Sequence, residues 1–382
     1  MEWNGWDLFL GVFVCLYALL LVGYSIGLLF YQTATKNYLK PFVSVLVAAR
    51  NEENHIGNCI QHLLKQTYSR GRFEIIIIDD RSSDQTASIV RSFQKKNAGI
   101  YLISILDSSP IMAPKKNALT KGIEVAKGEV IICTDADCRP EAGWLNAMVA
   151  SFGEEVGMVV GFSPIEPNKI YSLFQNFVAL DSLALASVAA ASSAFGKTLT
   201  ATGRSLAYRK KTFEEVGGFS KIAQFVSGDD DLLLELIRKT KWKTAYCIAD
   251  DALVNTDPPA TFKKFVNQKI RQASKGRHYS YRMVLGLAIF YVFNVSLITY
   301  VPFKLMFHGI NYTSFFYLVL WSIKLAADFL MLFAGAYRFR KWSYLAFYPV
   351  AAFLHPWYIT IFGAWGLFGT FEWKDTATKS VN

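Results

Sequence analysis

The sequence predicts a layered α/β domain flanked by transmembrane helices, and three observations carry that expectation. Hydrophobic residues make up 52% of the 382 residues and aromatics 15%, with a mean hydropathy of +0.24, too apolar for an ordinary soluble domain. Charge is unevenly spread: Leu8 to Phe30 carries none, while Lys36 to about Arg282 holds most of the 40 Lys and Arg and 30 Asp and Glu. Within that charged stretch, apolar runs of strand length alternate with helical patterns. The expected organisation is a transmembrane helix and linker over 1–40, an α/β domain over 41–260, a basic interfacial helix over 261–282 and a membrane region over 283–382.

Leu8 to Phe30 exceeds the roughly 20 apolar residues that cross a hydrocarbon core. No Lys or Arg precedes it and no small-residue cleavage site follows, so it reads as a retained span rather than a leader. Glu2 and Asp7 precede it and Lys36 and Lys40 follow, which by the positive-inside rule puts the next domain in the cytosol, at a bacterial-type inner or plasma membrane. Cys15, Cys59, Cys133, Cys138 and Cys247 have no paired metal spacing and read as buried thiols in a reducing compartment.

At the other end, Met283 to Phe307 and Tyr312 to Ala336 are long enough to span, joined by the short turn His308 to Asn311. Lys324 and Asp328, one helical turn apart, are expected to pair, because either charge alone is costly at mid-bilayer. Trp342 to Phe371 is apolar too, and Pro356 makes it either a kinked span or a re-entrant piece. The basic run Arg338 to Lys341 argues for a return to the cytosol.

Inside the charged stretch, "FVSVLVAA" and "FEIIIIDD" are near-continuous apolar runs of the kind buried in a parallel sheet. "GIYLISIL" and "EVIICT" supply two more strands, and Ser82-Ser83-Asp84 reads as a helix cap. Ligands in such sheets collect beyond the carboxyl ends of the strands, where Arg50, Glu52, Asp79 and Asp135 fall. Asp135 and Asp137 are two apart, so an extended backbone would aim both at one cation. Hard oxygen ligands without His or Cys suit Mg²⁺ or Mn²⁺, completed by phosphates and water. An acidic turn is the bland alternative for a lone Asp-x-Asp.

Two further stretches bear on the membrane. "TFKKFVNQKIRQASKGRHYSYR" is basic and amphipathic, with Phe262, Phe265, Val266 and Ile270 as its apolar face, and is expected to lie on an anionic leaflet. Ile170 to Gly196 is apolar, with Asp181 as its only charge, and reads either as an interfacial cover for a lipid or as a core helix.

Several motifs together resemble the inverting family 2 glycosyltransferases of GT-A fold, in particular membrane-bound members of the cellulose synthase and ceramide glucosyltransferase type. The motifs are "SVLVAARNEE", "IIIIDDRSSD", "PKKNAL" leading to "TDADC", "GRSLAYRKKTFEEVGGF", "GDDDLLLELI" and "QKIRQ", spread over Phe42 to Tyr279. The resemblance implies a Rossmann-like nucleotide-diphosphosugar transferase domain and a metal-dependent hexosyltransferase that uses Mn²⁺ or Mg²⁺. It places Ala48, Arg50, Glu52 and Asp79 at the nucleotide, Asp79 on the base, and Lys115 near the diphosphate, while the adjacent Lys116 reads as a solvated charge. Asp135 is implied to be shared between metal and ribose and Asp137 to bind metal. Aligning the family's acidic pair with Asp229-Asp230 makes Asp230 the base, with Asp231 as runner-up. The structural alternative for these acids is helix capping, and for Asp80 turn formation. Gln268 and Arg271 are implied to enter the site, Arg271 toward the diphosphate. Gln272 stands where the motif has Trp, which leaves acceptor stacking in doubt.

The resulting expectation is a transfer from a nucleotide sugar, a UDP-sugar first, to a lipid or membrane-associated acceptor, with no nucleic-acid partner. A processive polysaccharide synthase is the nearest alternative. It would need a polar channel through a larger bundle than about three segments after the catalytic domain. A nucleotidyltransferase would carry a Gly-rich basic phosphate loop where "AARNEE" is acidic, and a non-catalytic transporter or scaffold would not need both acidic motifs.

Overall fold

The computed structural model describes residues 4–32, 40–169, 172–308, 312–368, 370–373 and 376–379. Lys36, Ile170, Tyr171 and the 309–311 part of the expected turn lie outside the described residues. After α1 (Gly5–Phe30), the chain alternates β1 (Val43–Ala49), α2 (Ile56–Leu64), β2 (Phe73–Asp80), α3 (Thr86–Gln94), β3 (Ile100–Ile105), α4 (Pro114–Val125) and β4 (Val130–Asp135). Shorter pieces follow: β5 (Arg139–Pro140), α5 (Trp144–Ala150), β6 (Val156–Gly161), α6 (Leu173–Ala194), β7 (Leu206–Arg209), α7 (Lys210–Glu215), α8 (Asp231–Arg238), β8 (Lys243–Cys247) and β9 (Val254–Asn255). The last part is α9 (Phe262–Ser274), α10 (Tyr281–Ile298), α11 (Tyr300–His308), α12 (Tyr312–Phe339), α13 (Tyr348–Phe368) and the hairpin of β10 (Thr370–Trp373) with β11 (Thr376–Lys379).

Two compact units emerge. One comprises residues 31–168 and 189–258, the other residues 1–30, 169–188 and 259–382. The first is built on a seven-stranded sheet of order β3-β2-β1-β4-β7-β6-β8. The four expected strands form its parallel half, and their unbroken apolar runs follow from burial on both faces. Ile75, Ile76, Ile77 and Ile78 are all essentially inaccessible, each worth about 1.5–3 kcal/mol of transfer free energy. The sequence reading missed the other half. β7 runs antiparallel to both β4 and β6, and its four residues are too short for a periodicity signal.

The loops that follow β1 and β2 are stapled to each other. Asn51 adopts φ 53 and Arg81 φ 56, a left-handed turn that Asn tolerates better than most residues. Asn51 Oδ1 accepts from the Ser83 N–H at 2.9 Å, while the Asn51 N–H donates to Ser82 Oγ. Asp84 accepts the Thr86 N–H with one oxygen and the Glu53 N–H with the other. Asp84 thus holds the first N–H of α3 from just before its N-cap residue, Gln85, and the serines belong to the staple. Asp80, expected as a turn former, ends β2 and pairs with Arg81 at 2.8 Å.

The second unit is helical apart from the β10–β11 hairpin. Among the described residues, five helices are long and apolar enough to cross a membrane: Gly5–Phe30, Leu173–Ala194, Tyr281–Phe307, Phe315–Phe339 and Trp342–Leu367. The span expected over Met283 to Phe307 is present, with one irregular residue, Thr299, between α10 and α11. Pro302 explains the irregularity, since it cannot donate to Ile298, its i−4 residue and the last of α10. α13 instead continues through Pro356. Asp7 is buried and accepts from the hydroxyls of Tyr300 and Tyr317. The expected pair forms: Lys324, wholly inaccessible, donates to Asp328 at 2.6 Å, and the Tyr17 hydroxyl donates to the other oxygen.

α9 departs from the lipid-facing expectation. Phe265 and Ile270 are buried, and Phe265 packs against Phe174, Tyr358 and Phe362. Lys269 is buried as well, bonded to Asp181 at 2.5 Å with the Tyr358 ring 5.7 Å away. Part of the apolar face is thus covered by protein while Phe262 stays exposed, and the ion pair with Asp181 withdraws Lys269 from the surface. The part of α6 around Asp181 is largely buried, as a core helix is. Cys15 on α1 is exposed, whereas the other four thiols are buried.

Candidate active site

The acids gather where the parallel strands end. Ala48 of β1 is in register with Ile78 of β2 on one side and Asp135 of β4 on the other. Asp79 and Asp135 therefore flank the end of β1, about 10 Å apart across two strand spacings. Asp79 is buried, and its Oδ1 has no hydrogen-bond partner among the described residues. Leaving a buried acceptor unmade costs about 1–3 kcal/mol, so the geometry favours a ligand that brings a donor. Arg50 and Glu52 follow β1 and are half-buried. The Glu52 N–H donates to Thr86 Oγ1 at 2.8 Å, and its carboxylate meets His55 Nδ1 at 3.2 Å.

Lys115, in the first turn of α4, bridges two acids. Its Nζ lies 2.8 Å from Asp135 Oδ1 and 2.9 Å from Asp229 Oδ2. Burial works against its charge, but the two carboxylates outweigh that and hold the ammonium well above the usual lysine range. Lys116, expected to be solvated, is buried instead and bonds backbone carbonyls.

Asp137 does not sit where an extended backbone would put it. The chain turns after β4, with the Cys138 N–H bonded to Asp135 O at 3.1 Å. The carboxylate keeps an exposed edge, yet the surrounding protein removes much of its hydration. That desolvation, followed by the charges of Asp135 and Glu52, raises its pKa above the ordinary 3.8. The described residues contain no group of three or more His, Cys, Asp or Glu arranged to hold a metal. Two carboxylates and a surplus of negative charge nevertheless fit one hard divalent ion that takes its remaining ligands from phosphate and water. Cys133, beside Tyr208, is desolvated and pushed up to about 12, so it is a thiol rather than a ligand.

The Asp229–Asp231 run divides its tasks. Asp229 is neutralised by Lys115. Asp230 caps α8, accepting the Asp231 N–H at 2.7 Å with one oxygen and the Gly203 N–H at 3.2 Å with the other. Asp231 Oδ1 accepts from Thr200 Oγ1 and the Ala201 N–H, anchoring the segment that leads into β7. Capping and site geometry thus coexist, because the backbone N–H contact that caps α8, together with that of Gly203, orients the Asp230 carboxylate.

The sequence reading placed Gly203 and Arg204 in a family motif but gave neither residue a role in the site. A Cβ at Gly203 would lie 3.0 Å from Asp229 Oδ2 and 3.1 Å from Lys115 Nζ, so glycine lets the backbone approach the acids. Arg204 follows it, half-buried, with its carbonyl held by Thr134 Oγ1 at 2.8 Å. Its charge lowers the pKa of Asp137. The signal was the Gly-Arg pair preceding "SLAYR". Gln268, Arg271 and Gln272 belong to the helical unit, on α9, where all three are half-buried.

A profile described as glycosyl transferase family 21 matches residues 10–379. The chain is 29% identical over 245 residues to probable glycosyltransferase YdaM of Bacillus subtilis (strain 168), covering 63% of this chain and 56% of that protein. It is 36% identical over 120 residues to a beta-monoglucosyldiacylglycerol synthase of Trichormus variabilis, covering 31% of this chain and 25% of the relative. The chain thus spans little more than half, or less, of these relatives' lengths. Among solved structures, a mannosyltransferase, PcManGT of Pyrobaculum calidifontis, superposes with a TM-score of 0.58 at 18% identity, covering 94% of this chain and 95% of that one. At that identity the likeness establishes the fold.

Proposed function

The chain belongs to glycosyl transferase family 21, and from that premise we propose that it is an inverting membrane glycosyltransferase moving one sugar from a nucleotide sugar, a UDP-sugar first, to a lipid acceptor at the inner membrane face. The observation that carries the reading is the pairing of an unpartnered buried acceptor, Asp79 Oδ1, with the Lys115–Asp135–Asp229 cluster at neighbouring strand ends. A base at one end and a diphosphate at the other match these two chemistries. The partial match to a monoglucosyldiacylglycerol synthase supports a lipid acceptor, as do the five apolar helices.

In this reading, Asp79 accepts the imide N–H of uracil and rejects bases that leave it unpaired. Arg50, Glu52 and Ala48 line the nucleotide. Asp135 and Asp137 would hold Mn²⁺ or Mg²⁺, which when bound supplies Lewis-acid neutralisation of the leaving diphosphate. Lys115 adds a fixed positive charge at the same strand end, where negative charge grows as the glycosidic bond breaks. Asp230, oriented by two N–H donors, takes the proton of the acceptor hydroxyl. The acceptor oxygen then attacks the anomeric carbon from the side opposite the diphosphate, so the configuration inverts.

The test is to incubate the purified chain in lipid with a panel of labelled nucleotide sugars, with and without Mn²⁺, and to resolve the products by chromatography and mass spectrometry. A lipid heavier by one sugar is the expected product. A ladder of lengthening polysaccharide would instead identify a processive synthase, and nucleotidyl transfer or no reaction with any donor would overturn the reading.

A further inference from the structure

Lys116 is a buried cation that the mechanism above does not use. The residue is 1% exposed, and its ammonium donates to Phe225 O at 2.5 Å and Ser227 O at 2.8 Å. Ala113, which precedes α4, donates its N–H to Ala223 O at 2.7 Å. Three carbonyls of the 223–227 segment are therefore held by the start of one helix. The segment ends at Gly228, whose φ of 91 few other residues adopt, and passes directly into Asp229, Asp230 and Asp231.

Burying an ammonium is costly, and the first turn of α4 carries the positive end of its dipole, which adds to the cost. An apolar side chain of similar length would fill the space without either cost. The cation is accounted for by what it holds. Lys115 grips Asp229 just beyond the turn, while Lys116 grips the carbonyls before it, so two consecutive lysines clasp both sides of Gly228. We propose that Lys116 is a positioning residue: through the Phe225–Ser227 turn it fixes where the Asp229–Asp231 carboxylates stand, and it ties them to the same helix turn that carries the Lys115 charge. The proposal rests on the reading of Asp230 as the base, and it names a residue that acts through that carboxylate without touching substrate.

The experiment uses the full chain in lipid and whichever panel donor supports transfer. Lys116→Met, Lys116→Gln and Ser227→Gly are compared with Asp230→Asn, with kcat and donor KM measured on protein shown to be folded by thermal unfolding. Lys116→Gln keeps one donor, and Ser227→Gly loosens the turn from its partly exposed side, so the comparison survives if Lys116→Met does not fold. Misplacing a reacting group by about 1 Å can cost on the order of 100-fold in rate. The expected result is a kcat at least about 10-fold lower in Lys116→Met, a smaller loss in the other two, and donor KM within about 3-fold of the unaltered chain. A purely structural lysine would lower the unfolding temperature and leave kcat of the folded protein unchanged, and that result overturns the proposal. Asp230→Asn separates the two failures. If it retains turnover, the base reading falls; if it loses turnover while the folded Lys116 variants keep theirs, the positioning proposal alone falls.

Discussion

Replacing Lys115 by Met tests whether the strand-end cluster is an energetic unit. The side chains of Lys115, Asp135 and Asp229 are 21%, 33% and 10% exposed. Removing one partner of a buried pair costs about 3–5 kcal/mol, whereas an exposed pair is worth about 0–1 kcal/mol. The Asp229 side lies near the buried limit, and water reaches the Asp135 side, so Lys115→Met is expected to cost about 2–4 kcal/mol. At roughly 2–4 °C per kcal/mol for a domain of this size, the unfolding temperature should fall by about 4–16 °C. Adding Asp229→Asn removes the stranded charge and should recover part of the loss, a coupling of about 1–3 kcal/mol. The pH dependence has a definite sign. Lys115 has a folded-state pKa above the ordinary 10.5, so its contribution is complete below that value and is lost as pH rises through the folded pKa. The unaltered chain and the variant should therefore differ by a constant amount from pH 6 to 10 and converge above it. The assay is thermal unfolding in detergent across that range. A shift below about 1 °C, or strictly additive single and double variants, would refute the cluster as an energetic unit.

Four further outcomes are expected of the same chain. Asp230→Asn should bind donor normally and lose about 100-fold or more in turnover; full activity there together with loss in Asp231→Asn would move the base assignment. Asp135→Ala and Asp137→Ala should each abolish Mn²⁺-dependent UDP binding by calorimetry. Because Asp137 has a raised pKa, a proton competes for it at a higher pH than for an ordinary Asp, so that affinity should fall on acidification from pH 7 toward 5. Lys324→Leu alone strands Asp328 and should destabilise by about 3–5 kcal/mol, while Lys324→Leu with Asp328→Leu should unfold near the unaltered temperature and stay active; a folded but inactive double variant would assign the pair to a lipid head group. A Cβ at Gly335 would overlap Ser187 Oγ, so Gly335→Ala should cost about 1–3 kcal/mol, partly restored by adding Ser187→Ala.

Much of the parallel half of the sheet was legible because strands buried on both faces must be apolar throughout, and "FVSVLVAA", "FEIIIIDD" and "EVIICT" leave little other choice. The acids at their ends were legible for the same reason, since a carboxylate closing an apolar run has nowhere to go but the strand's carboxyl edge. The i,i+4 pair of Lys324 with Asp328 was local enough to read directly. Tertiary structure alone decided the rest, and in each case the deciding partner is distant in sequence. Lys115 and Lys116 are adjacent and chemically identical, yet one meets Asp229 and the other the carbonyls of Phe225 and Ser227, more than a hundred residues away. Gly203 reads as any loop glycine until Asp229 and Lys115 stand over it. Phe265 and Ile270 have the spacing of a lipid-facing stripe, and only the aromatic side chains of α6 and α13 turn that stripe into a buried face. Periodicity records that a residue is removed from water; what removes it depends on which distant segment the fold brings there.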